Sequence, residues 1–336
     1  MNSLQRSSTT VGFGRADRVP VIAQIFGHAA RLSGVPLGKY LRDGELLARC
    51  QMTALKRYEY DAVFALMDTS VETEAAGAVL RYREDTYPFV ETPAVAANGD
   101  IENLRVPDPA KAGRMPELIR AARILRREVG DDVLVVGCAL GPMTIAVQLM
   151  GGEKALYLAA DNPVQFCRVL DFTTEVCERF ASAQLEAGAH LPVIFEPAGS
   201  PAFVPPAFFR EFILPRLARI FTTLKKQGSA ANWLHIAGPT KPILPLYAGA
   251  GVDIANFDYS VTSEEAQRQL PKTCLDGNIK PLSFVCATPD AIREESLRLL
   301  QSFERRGGFI LSSGCEIPPE SKAENIEAMV QAARHA

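Results

Sequence analysis

The sequence predicts an α/β protein of the (β/α)8 TIM-barrel class, and three observations lead to this prediction. Short apolar runs without strict polar alternation recur along the chain, as expected for parallel strands covered on both faces. Amphipathic stretches with apolar residues three and four positions apart separate these runs. Eight such strand–helix units fit into the 336 residues, a length within the range of this barrel.

The predicted strands follow one another at intervals that leave room for a helix. They cover residues 19–26, 62–68, 133–139, 193–197, 233–237, 252–258, 273–279 and 308–314. The clearest predicted helices cover residues 116–130, 206–228 and 289–308, and proline or glycine often marks a boundary. An open doubly wound sheet is the structural alternative, but the stretch FGHAARLSG lacks the G-x-G-x-x-G fingerprint and no P-loop is present.

The domain organisation follows from the same pattern. We predict a flexible N-terminal segment over residues 1–17 and a single barrel domain over residues 18–336. Segment 69–115 is rich in Pro, Glu and Thr and is too long for an ordinary connection, so we expect it to pass over the barrel mouth.

Composition and charge exclude several classes of protein. A net charge of −3 gives no support for nucleic-acid binding, and no run of 18 or more apolar residues predicts a membrane span. The first residues lack the apolar stretch of a signal peptide. Seven cysteines without a framework favour reduced thiols over disulfides, which is typical of a cytoplasmic protein.

Polar residues stand where the predicted strands end, which is where this fold carries its chemistry. Along the chain they are Gln24, His28, Asp68, Glu72, Glu74, Glu196, His235, Asp258, Asn278 and Cys315. Zinc accepts imidazole, thiolate and carboxylate ligands together, and a catalytic zinc site needs three protein ligands. The sequence therefore predicts a zinc site made of His235, Cys315 and a carboxylate from Asp258 or Glu196.

Each candidate also has a purely structural interpretation. Cys315 could be a small buried hydrophobe, and His235 a core histidine. Asp258 could cap the following helix, Glu196 could pair with an arginine, and Asp68 could brace a loop. The residues are distant in sequence and form no compact ligand motif, so spacing alone leaves both interpretations open.

Several long stretches resemble the uroporphyrinogen decarboxylase superfamily. They are GCALGPMTIAVQLMGG, EPAGSPAFVPPAFFREFILPRL, HIAGPTKPILPLYAGAGVDIANFD, LDGNIKP and GGFILSSGCEIPPESKAENIEAM. Within the superfamily the chain is most similar to the cobamide-dependent methyltransferases, which include the methylcorrinoid:coenzyme M enzymes. The resemblance covers nearly the whole chain after residue 18 and implies a barrel with its active site in the mouth.

The chain departs from the decarboxylase branch of this superfamily. Decarboxylases carry an arginine-rich entry, R-Q-A-G-R-Y, whose counterpart here is GHAARL, with Gly27 in place of the first arginine and Arg31 retained. A tetrapyrrole that bears several carboxylates needs fixed cations, which arginine forks supply. Asp68 matches the essential aspartate of decarboxylases, whereas Cys315 stands where they carry a histidine. The resemblance therefore favours the methyltransferase branch.

The methyltransferase branch implies zinc bound by a His-x-Cys on the fifth strand and a Cys on the eighth. His235 and Cys315 match these positions, but Ala237 replaces the second residue of the pair. We expect Asp258, or else Glu196, to complete the site. A zinc site with one thiolate and one carboxylate binds an oxygen ligand more favourably than a zinc site with two thiolates does.

We therefore predict a zinc-dependent methyltransferase that moves a methyl group between a small molecule and a corrinoid (cobalamin). A methoxy or O-methyl compound is favoured, so the reaction would be an O-demethylation. The chain lacks the D-x-H-x-x-G signature, so a partner corrinoid protein would carry the cofactor. Predicted roles are catalytic for Asp68 and Asp258, and substrate-binding for Gln24, His28 and Asn278. The alternatives are a methylcorrinoid:thiol methyltransferase, a uroporphyrinogen decarboxylase-type enzyme and a metal-free binding protein.

Overall fold

Seven parallel strands form one curved sheet in the computed structural model, which describes residues 1–95 and 98–335. Including two strands outside this sheet, the strands of the described residues are β1 (Ala62–Ala65), β2 (Val79–Arg83), β3 (Thr86–Thr92), β4 (Leu134–Leu140), β5 (Leu191–Phe195), β6 (Trp233–His235), β7 (Ile254–Asn256), β8 (Cys274–Ile279) and β9 (Phe309–Ser313). The sheet has the order β1-β4-β5-β6-β7-β8-β9, and β2 and β3 form a separate antiparallel hairpin. This order follows the chain, as expected for consecutive strand–helix units.

The first predicted strand is irregular, but it closes the ring of strands. Val21 bridges to Leu311 of β9, and on its other side the Val21 carbonyl accepts a hydrogen bond of 2.7 Å from the N–H of Asp61, the residue before β1. A second bridge joins Ile25 to Ile317 beyond β9. The segment thus lies between the last and the first strand of the sheet, and the prediction of a (β/α)8 barrel is confirmed.

Helices connect and surround the strands. They are α1 (Ser3–Val11), α2 (Gly27–Leu32), α3 (Leu37–Tyr40), α4 (Gly44–Tyr58), α5 (Val71–Ala75), α6 (Met115–Val129), α7 (Pro142–Met150), α8 (Gly152–Asp161), α9 (Pro163–Glu186), α10 (Pro206–Phe208), α11 (Leu214–Lys226), α12 (Ser263–Gln269), α13 (Ser283–Cys286), α14 (Pro289–Phe303) and α15 (Ala323–Arg334). Short 3₁₀ turns cover 98–103, 197–199 and 244–250, and a π-helical turn at 209–213 joins α10 to α11. No helix in the described residues is both long and apolar enough for a membrane crossing.

The N-terminal segment, predicted to be flexible over residues 1–17, contains helix α1, which packs on the barrel. Asn2 and Gln5 form a capping box at the start of this helix. Arg6 of the helix pairs with the fully buried Asp61 at 2.6 Å, and Arg18 pairs with the same carboxylate at 2.7 Å. Because Asp61 precedes β1, this ion cluster covers the amino end of the barrel, opposite the mouth.

The segment 69–115 contains α5 and the β2–β3 hairpin, and it approaches the barrel mouth as predicted. Tyr87 of β3 accepts a hydrogen bond of 2.9 Å from the N–H of Gly27 and donates one to Glu316. Gly27 follows the first strand segment and Glu316 follows β9. Both therefore lie at the carboxyl end of the barrel, and the hairpin lies against that rim. All seven cysteines have free thiols, as predicted.

Candidate active site

His235, the last residue of β6, is a buried histidine whose imidazole has no hydrogen-bond partner among the described residues. Its side chain packs on Phe195 with ring centroids 4.8 Å apart, and the residue is 2% exposed. Within the described residues, neither ring nitrogen has a partner. Burial lowers the pKa of His235 to about 3, against the opposing effect of the negative charge of Asp258. The imidazole is therefore neutral, the form that binds a metal.

Asp258, two residues beyond β7, ties neighbouring rim loops together. One of its carboxylate oxygens accepts a hydrogen bond of 3.0 Å from the N–H of Gly238, and the other accepts one of 2.8 Å from the N–H of Ser260. Each oxygen keeps further acceptor capacity. Its negative charge raises the pKa of both His235 and Cys315, so the carboxylate lies within electrostatic range of both.

The alternative that Asp258 caps the following helix is wrong. Helix α12 begins at Ser263, and the side chain of Thr262 accepts the capping hydrogen bond from the N–H of Glu265. Asp258 lies four residues earlier and binds the backbone of rim loops instead. Its carboxylate is therefore positioned by the barrel rim and not by the helix.

Cys315 follows β9 on the same rim and is only partly buried as a residue. Burial of its thiol raises the pKa to about 11, and the negative charges of Glu316 and Asp258 contribute. The side chain is thus a protonated thiol at neutral pH. A cation placed next to it would favour the thiolate.

The chemistry of these residues fits zinc, although their arrangement is not a preassembled site. Among residues 1–95 and 98–335, no three His, Cys, Asp or Glu side chains form a group that could hold a metal ion. However, His235 offers unpaired nitrogens, Cys315 a thiol and Asp258 a carboxylate, and zinc accepts all three ligand types. Rim loops, not strands, carry Asp258 and Cys315.

Glu196 binds the N-terminus of helix α7, and no arginine of the described residues pairs with it. Its two oxygens accept hydrogen bonds from the N–H of Met143 (2.9 Å) and of Thr144 (2.7 Å), and the Thr144 hydroxyl also donates to it. The carboxylate is fully buried, and burial raises its pKa to about 7. It satisfies the free N–H groups at a helix N-terminus. Of the two predicted carboxylate ligands, the structure therefore favours Asp258.

Asp68 forms a buried ion pair with Arg114. Arg114 donates to both oxygens of Asp68, one of them at 3.2 Å, and it also pairs with Glu74 at 2.6 Å. The N–H of Ser70 donates to Asp68 at 2.9 Å. The loop-bracing interpretation thus describes this residue well, because its charge is already neutralised by a guanidinium.

The three predicted substrate-binding residues differ in whether their side chains have a polar atom left for a ligand. His28 contacts the Tyr58 hydroxyl at 2.8 Å and the Pro319 carbonyl at 3.1 Å, so both nitrogens are engaged. Asn278 donates to the carbonyls of Asp258 (3.2 Å) and Val261 (2.9 Å) and so supports the loop that carries Asp258. Gln24 is fully buried and keeps an unpaired Oε1 within the described residues.

The pair Tyr87 and Glu316 lies at the same rim, although neither residue is among the predicted site residues. Burial raises the pKa of Glu316 to about 7, and its carboxylate accepts hydrogen bonds from Tyr87 and, at 3.4 Å, from the N–H of Gly27. Glu316 directly follows Cys315, so its position was a signal that could have been used. Tyr87 gave no signal, because 229 residues separate it from Glu316.

A parallel (β/α)8 barrel with polar side chains gathered at its mouth defines the class of this protein. A model of the family described as uroporphyrinogen decarboxylase (URO-D) matches residues 6–336. The chain therefore belongs to the uroporphyrinogen decarboxylase family.

Relatives within this family have two different names. The chain is 25% identical over 301 residues to a uroporphyrinogen decarboxylase of Psychromonas ingrahamii, covering 86% of this chain and 83% of that one. It is 30% identical over 248 residues to the methylcobamide:CoM methyltransferase MtaA of Methanosarcina barkeri, covering 71% and 70%. A solved methyltransferase from Methanosarcina mazei superimposes with a TM-score of 0.92 at 25% identity, over 100% of this chain and 99% of that chain. These similarities place the chain in the uroporphyrinogen decarboxylase superfamily and support its assignment to the methyltransferase branch.

Proposed function

We propose that this chain is a zinc-dependent methyltransferase that moves a methyl group between a small molecule and a corrinoid carried by a partner protein. The observation that supports it most directly is the buried His235 at the barrel mouth, whose two ring nitrogens have no partner in the part of the chain that the structure describes. The barrel superimposes along its full length on a methyltransferase. A buried histidine with a purely structural role would have both ring nitrogens hydrogen-bonded, as His28 does.

His235, Cys315 and Asp258 would hold the zinc ion. Zinc bound there would supply Lewis-acid polarisation of the substrate atom that carries the methyl group. The Asn278 amide donates a hydrogen bond to the backbone carbonyl of Asp258 and so supports the loop that carries this carboxylate. Asn278 would therefore act as a positioning residue. Gln24 offers its free amide oxygen for orienting a polar substrate.

An O-methyl substrate fits the proposed ligand set. With Ala237 in place of a cysteine, the set contains one sulfur ligand and one oxygen ligand, which favours oxygen over a soft thiol as the fourth ligand. The methyl–oxygen bond would break, a methyl–cobalt bond would form on the partner's corrinoid, and the oxygen would take up a proton. A thiol acceptor, with transfer in the opposite direction, is the alternative within this class.

Decarboxylation is the second candidate, because several relatives are named uroporphyrinogen decarboxylase. The sequence resemblance also implies that Asp68 corresponds to the essential aspartate of decarboxylases. The structure opposes it at two points. Asp68 is neutralised by Arg114, and Arg31, the remaining arginine of the entry segment, is exposed at the end of α2. A carboxylate already paired with a guanidinium is poorly suited to stabilise a second cation.

The proposal is tested by metal analysis together with two activity assays. Purified protein would be assayed for zinc, for methylation of Co(I) cobalamin with methoxy compounds, methanol, methylamines and thiols, and for decarboxylation of uroporphyrinogen. We expect about one zinc per chain and methylcobalamin formation with an oxygen-linked methyl donor. Exposed Cys286→Ala is the matched control for Cys315→Ala and should retain both properties.

Each other result contradicts a stated part of the proposal. Reaction with thiols alone would overturn the preference for oxygen. Decarboxylation by metal-free protein would replace the methyltransferase by the second candidate. Absence of zinc and of all turnover would favour a binding protein on this fold.

A further inference from the structure

His235, Asn256 and Asp276 form a buried polar row across three neighbouring strands. The pairs Leu234–Ala255 in β6–β7 and Asn256–Asp276 in β7–β8 place these residues at one register level. Residues at one level of parallel strands share a face, because side chains alternate with a period of two. All three residues are 2% exposed or less.

The row contains polar atoms that lack partners. Within the described residues these are both ring nitrogens of His235 and Oδ1 of Asn256. A buried polar atom without a hydrogen-bond partner destabilises the fold. One ring nitrogen of a neutral imidazole must donate, and the adjacent strand offers an unpaired acceptor. A direct hydrogen bond or one bridging water satisfies both.

Asp276 determines which end of the Asn256 amide is free. The amide nitrogen of Asn256 donates to the backbone oxygen of Asp276 at 3.3 Å and to its carboxyl Oδ2 at 3.4 Å. The backbone oxygen can only accept, so the NH2 group must face Asp276. The amide oxygen is left as the free acceptor.

We propose that Asn256, oriented by Asp276, accepts the N–H hydrogen bond of His235 and thereby fixes the imidazole tautomer that presents its other nitrogen to a metal. Asn256 and Asp276 are then positioning residues. Zinc as the ion rests on the proposed function, whereas the hydrogen bond does not require a metal. Loss of such an outer partner typically weakens metal binding by about 10–100-fold.

Zinc affinity is the first test. Asn256→Ala and Asp276→Asn would be compared with Asn232→Ala, a buried asparagine just before β6 whose amide donates to the Gly251 carbonyl at 2.8 Å. Competition with a chromophoric chelator should show zinc binding about 10–100-fold weaker for Asn256→Ala. Asp276→Asn, which nearly preserves shape, should show a smaller loss, and Asn232→Ala none. Equal affinity of Asn256→Ala and Asn232→Ala would overturn the proposal.

The second test uses metal-free protein and separates this inference from the proposed function. The chain has four histidines, so ¹⁵N-histidine NMR can assign His235 by comparison with His235→Gln. We expect one tautomer in the unmodified protein and a mixture in Asn256→Ala, with a partial effect in Asp276→Asn. Unchanged tautomer populations in both variants would overturn the inference. A changed tautomer in a protein that binds no zinc would support it while removing the zinc from the proposed function.

Discussion

Burial favours the uncharged form of both His235 and Cys315, but it shifts their pKa values in opposite directions. It lowers the pKa of His235 to about 3 and raises that of Cys315 to about 11. At neutral pH the imidazole has no proton to lose to a metal, whereas the thiol has one. The proposed zinc site would therefore bind a divalent ion in exchange for a proton.

Zinc binding should accordingly release about one proton from Cys315 near neutral pH. Its affinity should rise about tenfold per pH unit from pH 6 to 8, because the free thiol stays protonated throughout this range. Calorimetry in two buffers of different ionisation enthalpy measures the proton count. Release of no proton would show that Cys315 is not a ligand.

The substitution Glu196→Gln should lower the stability of the fold and leave zinc binding unchanged. A glutamine has only one acceptor oxygen for the N–H groups of Met143 and Thr144, so we expect a loss of about 1–3 kcal/mol. Because the pKa of Glu196 is raised to about 7, its contribution is complete below its ordinary pKa and declines as pH rises through 7. Glutamine does not titrate, so the difference in thermal midpoint should narrow from pH 5 to pH 8. Loss of zinc with unchanged stability would instead identify Glu196 as a ligand.

At the scale of elements, the sequence was informative wherever a contact follows from the order of strands. Apolar runs marked the strand ends, and parallel strands bring their carboxyl ends to one rim, so His235, Asp258 and Cys315 could be assigned to the mouth. The capping of α7 by Glu196 could not be predicted from the sequence, because it depends on side-chain packing between neighbouring strand ends.

The irregular first strand and helix α1 show two further limits of prediction. Pro20 has no N–H to donate, and the segment around it pairs with its neighbours by isolated bridges. Helix α1 was overlooked, although Asn2 and Gln5 have the spacing of a capping box. Its stability depends on the ion pair of Arg6 with Asp61, a contact 55 residues away that composition does not reveal.

The β2–β3 hairpin should depend on Tyr87 for its attachment to the rim. Tyr87→Phe removes the hydrogen bonds to Gly27 and Glu316, so we expect faster amide hydrogen exchange in peptides covering 86–92 and 314–319. Tyr82→Phe is the matched control, because Tyr82 lies in the same hairpin and donates to Glu74 at 2.7 Å. Equal exchange at 314–319 in the two variants would contradict this role.

At the scale of the whole molecule, the barrel separates stability from chemistry. The amino end is covered by α1 and contains the paired carboxylate of Asp61, whereas the mouth contains the unpaired atoms of His235. An unsatisfied buried polar group is costly, so the two ring nitrogens of His235, which have no partner within the described residues, indicate that this part of the mouth contacts something else.

Arg6→Ala should therefore lower stability without affecting the mouth. Removing one partner of a buried ion pair costs about 3–5 kcal/mol when the remaining charge is uncompensated. Arg18 still neutralises Asp61, so we expect a loss below that range. Thermal unfolding measures it, with the exposed Arg15→Ala as control. A loss of zinc binding in Arg6→Ala at a temperature where it is folded would argue against this separation.

X-ray absorption at the zinc edge of the zinc-loaded protein shows which atoms bind the metal. We expect a shell with one sulfur at about 2.3 Å, from Cys315, and nitrogen and oxygen ligands at about 2.0–2.2 Å, from His235, Asp258 and an exchangeable group. The sulfur contribution should disappear in Cys315→Ala and persist in Cys286→Ala. A shell without sulfur, or with two sulfurs, would contradict the assignment of the metal to this rim.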